Sequence, residues 1–187
     1  MAMIRPLHAC TLALTLALAG SAFAGPEALY EHQLQRLHSS EQVDMRQYGG
    51  QPLLVINTAS FCGYTGQFEG LEALHREYAP RGLKVLGFPS NDFAQEASKE
   101  AKTAEVCFIN YGVTFDMFSP IRVKGPDAHP IFAEINRQSG KPPRWNFHKY
   151  VIDSEGRVTA AFESQVRPES DQLRAAIEAV LPPSATN

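Results

Sequence analysis

Apolar residues recur along the chain in two rhythms. Residues 53–59, LLVINTA, form a nearly continuous apolar, β-branched run, as expected of a strand buried on both faces. A short loop, SFCGYT, follows. Phe68, Leu71, Leu74 and Tyr78 then recur at spacings of three and four, which draws one apolar stripe along a helix. Pro80-Arg81-Gly82 stops that helix. Residues 83–89, LKVLGFP, are a second buried run. Strand, helix, strand in this order predicts a βαβ unit with parallel strands and a right-handed crossover.

The flanking segments are weaker. Residues 29–44 show faint alternation at Leu34, Leu37 and Val43, read as short strands or a hairpin. GGQP at 49–52 is a turn. The polar connector SNDFAQEASKEAK precedes a shorter helix near residues 103–111 and an extended piece, VTFDMF. Residues 129–138 are read as helical. Residues 148–162 form a predicted hairpin around the turn SEG, and a final helix after Pro168 carries Leu173, Ile177 and Val180. No repeat or linker interrupts this series. It describes a single α/β domain, a central mixed β-sheet flanked by helices.

The first 24 residues break the pattern. Arg5 precedes an apolar run, and Ala22-Phe23-Ala24 supplies an A-x-A site. This reads as a secretory signal cleaved after Ala24, so the expected domain is 25–187 and its location exported, periplasmic or secreted. The run is too short for a span of roughly 20 residues, and Ser21 stands where a lipid anchor needs cysteine, so no membrane anchor is expected. Hydrophobic residues make up 44% of the chain, an ordinary globular share. With 17 Lys+Arg against 20 Asp+Glu, there is no electrostatic case for a nucleic-acid partner. His32, His38, His75, His129 and His148 are dispersed and make no metal-ligand spacing.

Of three cysteines, Cys10 leaves with the signal. Cys62 and Cys107 remain, in a compartment where disulfides form. Cys62 sits at the carboxyl end of a buried strand, just before a helix, where ligands bind in open α/β sheets. Free N–H groups and partial positive charge at a helix N-terminus favour a thiolate. Thr65 is placed to cap that helix. These features leave three readings open: a reactive thiol, half of a structural disulfide, or an inert buried side chain. Position 65 is threonine, so Cys62 heads no CxxC dithiol pair.

Three separated blocks resemble the glutathione peroxidase family, in its cysteine-containing type. NTASFCGYT resembles the motif around the family's peroxidatic residue, which falls on Cys62. LGFPSNDFAQE resembles the second block and puts the catalytic glutamine on Gln95, with Asn91 the alternative amide because this block is shorter than usual. WNFHKYVID resembles the third and puts the catalytic Trp and Asn on Trp145 and Asn146. The resemblance covers about residues 29–181 and implies a thioredoxin-like fold. A cysteine common in the second block is Ser90 here. The connection RQSGKPPRWNF is short, whereas members with a long insertion there use it in subunit contacts, so a monomer is implied.

The resemblance also implies a mechanism. Cys62 attacks a hydroperoxide and becomes a sulfenic acid. The amides of Gln95 and Asn146 and the indole N–H of Trp145 are uncharged donors that favour the thiolate and the charge developing on oxygen. In thioredoxin-using members the resolving cysteine lies in the region of Cys107, which would form a disulfide with Cys62 after movement of the segment near 91–111. No cofactor is implied. The expected partners are a hydroperoxide and a thioredoxin-like reductant, with glutathione or another small thiol the alternative. A non-enzymatic exported domain or peroxide sensor with a Cys62–Cys107 disulfide is the reading from another class.

Overall fold

A computed structural model of the protein describes residues 26–183. The signal segment expected over residues 1–24 lies outside the described residues.

Seven strands are present among the described residues: β1 (Gln33–Gln35), β2 (Gln42–Asp44), β3 (Leu53–Thr58), β4 (Lys84–Pro89), β5 (Asp116–Met117), β6 (Lys149–Ile152) and β7 (Val158–Phe162). The ambiguous segment resolves into β1 and β2, an antiparallel pair. The other five form one mixed sheet in the order β5-β4-β3-β6-β7. β3 pairs in parallel with β4, and β4 with β5, while β6 runs antiparallel to both β3 and β7. Every residue of β3 is buried, which is why its sequence reads as a run and not as an alternation.

The strand's two faces serve two apolar clusters. Leu54 and Ile56 join Phe68, Leu71 and Leu74 of helix α1 (Gln67–Tyr78) and Leu173 and Ile177 of α4 (Asp171–Val180). Leu53 and Val55 point the other way, to Phe88, Phe118 and to Phe132 of α3 (Pro130–Ser139). α1 ends as expected, through a short 3-10 turn into Gly82 at φ +98°. On β4, Gly87 admits the Met117 side chain, whose sulfur occupies the space a Cβ would need.

One helix departs from the expectation. It begins earlier, as the five-residue α2 (Glu100–Ala104), and then widens into a π-helical stretch, Glu105–Asn110. The wider turn brings the neighbours Val106 and Cys107 both into the interior, 5% and 1% exposed. Single π turns inside helices occur often at functional sites.

Candidate active site

The loop leaving β3 is shaped by Thr65. Its hydroxyl oxygen accepts the Cys62 N–H at 3.1 Å and lies 2.7 Å from the Cys62 carbonyl. The expected cap is thereby corrected: α1 is preceded by Gly66 with no side-chain cap, because the Thr65 hydroxyl is already engaged within the cysteine loop. The Tyr64 N–H points at the Cys62 sulfur, 3.4 Å away. Cys62 is 8% exposed.

Two further loops converge on this one. After β4 the chain turns through Ala94 at φ +55°. The Phe61 N–H donates to the Gln95 carbonyl at 3.0 Å, so the residue before the cysteine is tied to the glutamine's own backbone. The Gln95 side-chain oxygen accepts from the Asn146 amide at 2.9 Å, although the two are 51 positions apart. Asn146 is fully buried. Asn91 is engaged elsewhere: its side-chain oxygen accepts the Glu96 N–H at 3.3 Å. Of the two alternative amides, Gln95 is therefore the one that meets Asn146. The Trp145 ring lies 5.5 Å from that of Phe93 and is 41% exposed. Tyr64 and Trp145 border a common recess of about 210 Å³ with Arg144, His148 and Glu163.

Cys107 lies on the π-helical stretch. It and Cys62 are both free thiols, and both belong to the same apolar cluster. Burial, reinforced by the Glu96 carboxylate, pushes the Cys107 thiol up to about 12. At neutral pH it is protonated and unreactive where it stands.

Three residues at this end of the sheet carry roles that the sequence reading did not assign. Asn57 is the polar interruption in the LLVINT run. Its amide donates to the Trp145 carbonyl at 3.1 Å, and its side-chain oxygen accepts the His148 N–H at 3.0 Å. Lys149 is fully buried and donates to the Phe147 carbonyl at 2.7 Å. Glu96 accepts from the Ser60 hydroxyl, and from the Thr103 hydroxyl at 2.7 Å, linking the Cys62 loop to α2. A polar residue at the end of an apolar run was the available signal for Asn57.

A sequence profile described as glutathione peroxidase matches residues 29–136, more than half of the chain. The chain belongs to the glutathione peroxidase family. A glutathione peroxidase of Lactococcus lactis subsp. cremoris is 43% identical over 136 residues, covering 70% of this chain and 87% of that protein. A hydroperoxy fatty acid reductase of Synechocystis is 38% identical over 150 residues, covering 74% and 88%. Among solved structures, the apo form of Trgpx superposes with a TM-score of 0.60 at 32% identity, covering 80% of this chain and 95% of that one. The thioredoxin-like fold is shared more widely. MTB dsbF, in its mixed oxidized and reduced forms, superposes at 0.59 with 13% identity, covering 82% and 97%. As a member of this family the protein is a peroxidase, an oxidoreductase acting on peroxide.

Proposed function

We propose that the protein is an exported, monomeric thiol peroxidase in which Cys62 is oxidised by the hydroperoxide and Cys107 resolves it. One observation carries the reading: the Gln95–Asn146 amide pair is hydrogen bonded and tied to the cysteine loop through Phe61. The Cys62 thiolate attacks the terminal peroxide oxygen. An S–O bond forms, the O–O bond breaks, and the departing alkoxide or hydroxide takes a proton to leave as alcohol or water. Gln95, Asn146 and Trp145 supply N–H dipoles to the sulfur and to the leaving oxygen, where charge develops. The Cys107 thiolate then attacks the sulfenic sulfur. A disulfide forms and hydroxide leaves as water.

Cys107 must first leave its buried site. The π-helical stretch gives it a route, since unwinding one irregular turn disturbs less than melting a regular helix. Once exposed, its thiol returns toward the ordinary value of about 8.5, and the thiolate becomes available. Two electrons from a thioredoxin-like dithiol restore both thiols. Phe61, next to Cys62 in the chain, Ile109, two positions after Cys107, and Trp145 are the exposed large apolar side chains among the described residues, and these are the contacts such a protein would use. The Synechocystis relative's name supports organic hydroperoxides as substrates beside hydrogen peroxide.

One equivalent of peroxide added to the reduced protein should consume both thiols. Cys107→Ser should instead accumulate a sulfenic acid at Cys62. Normal turnover of Cys107→Ser with a thioredoxin-like donor would overturn the resolving role. Faster turnover with glutathione than with any thioredoxin-like protein would overturn the choice of reductant.

A further inference from the structure

The turn that carries Trp145 and Asn146 does not hold its own shape. Phe147, a bulky aromatic residue, sits at φ +62°, a left-handed conformation that costs such a residue about 1–2 kcal/mol. Outside bonds hold it there, and most come from Asn57. This residue is fully buried at the end of the central strand β3. Its amide donates to the Trp145 carbonyl, its side-chain oxygen accepts the His148 N–H, and its backbone carbonyl accepts the Phe147 N–H at 2.6 Å. One residue thus binds the backbone on both sides of Asn146.

The remaining polar group of Phe147, its carbonyl, is taken by Lys149. That ammonium side chain is fully buried, and the Phe147 carbonyl is its one hydrogen-bond partner among the described residues. Burial is unfavourable enough to push the Lys149 ammonium down to about 7. Both backbone groups of Phe147 are therefore captured, one from each side.

We propose that Asn57 and Lys149 are positioning residues of the peroxidatic centre, clamping the Trp145–Asn146–Phe147–His148 turn so that the Asn146 amide meets Gln95 and the Trp145 indole stands beside Phe93. This rests on the assignment of Cys62, Gln95, Trp145 and Asn146 made above. Neither residue touches the peroxide. They act by fixing where two donors point, and a displacement of about 1 Å in such groups can cost about 10²-fold in rate.

The test separates positioning from mere support of the fold. Trp145 is the sole tryptophan, so its emission reports this turn directly. In the reduced full-length protein, three quantities are measured: the second-order rate of Cys62 oxidation by hydrogen peroxide, the first-order rate of disulfide formation, and the midpoint of urea unfolding. Asn57→Ala should slow the peroxide step at least tenfold and shift the Trp145 emission, with disulfide formation changed less than twofold. Lys149→Met should also slow the peroxide step about tenfold, while unfolding at pH 7 occurs at equal or higher urea. This opposite movement of rate and stability is not expected of a residue that only supports the fold. A folded Lys149→Met protein that reacts at the wild-type rate would overturn the proposal, as would equal slowing of both steps. If Asn57→Ala does not fold, Lys149→Met decides the matter alone. A wild-type Cys62 that ignores peroxide would refute the function itself, an outcome distinct from wild-type reaction with unaffected variants.

Discussion

Lys149 makes the stability of this protein depend on pH in a way that one substitution should remove. Burial pushes its ammonium down to about 7 in the folded chain, with a weaker opposing pull from Glu169. An unfolded lysine titrates near 10.4. Between about pH 7 and pH 10 the unfolded chain therefore holds a proton that the folded chain lacks, and stability rises with pH. A single proton gives up to about 1.4 kcal/mol per pH unit. Cys107 acts in the opposite direction. Its folded value of about 12 lies above the unfolded one, so its contribution is lost as pH rises past about 8.5. Both proteins keep Cys107, so its effect cancels in the difference between wild type and Lys149→Met. From pH 7.5 to 9 the wild type should gain about 2 kcal/mol relative to the variant. Urea unfolding followed by circular dichroism, with dithiothreitol present, measures this difference. A difference that stays constant across the window would show that Lys149 is charged in the folded protein, and the reasoning from burial would fail.

Other outcomes follow from the same contacts. Asn146→Ala removes the amide that reaches Gln95, and stopped-flow oxidation of Cys62 by hydrogen peroxide should slow by about 10²–10³; slowing of less than threefold would remove Asn146 from the centre. Glu96→Gln takes away the carboxylate that helps hold the Cys107 thiol protonated. In a Cys62→Ser background, alkylation of Cys107 should then become faster, and an unchanged rate would show that the carboxylate has no hold on it. Gly87→Ala drives a methyl group into the Met117 sulfur in the interior, which should lower stability by about 1–3 kcal/mol in denaturant unfolding. An unchanged midpoint would mean that Met117 repacks freely.

Much of this protein is legible in its sequence because burial leaves a local trace. The run LLVINT identified a strand covered on both faces, and the stripe Phe68, Leu71, Leu74, Tyr78 identified α1 as the helix that covers one of them. Together they placed Cys62 at the carboxyl end of a central strand, and the resemblance of three short blocks named the residues to look for around it. Periodicity stops there, since it reports which face of an element is buried and not what that face meets. The Thr65 hydroxyl looked free to cap a helix, and only the closed loop shows that it is used beside Cys62. Which of Asn91 and Gln95 meets Asn146 is visible only in the fold, because Asn146 comes from a loop 51 positions after Gln95. Asn57 and Lys149 carry no motif that singles them out in the sequence. Tertiary structure alone shows their bonds to the turn at Phe147, because that turn is brought against β3 only when β6 pairs with it. The π-helical seat of Cys107 was hidden in the same way: the sequence marks a short helix there, and only the structure shows the wide turn with Val106 and Cys107 both buried.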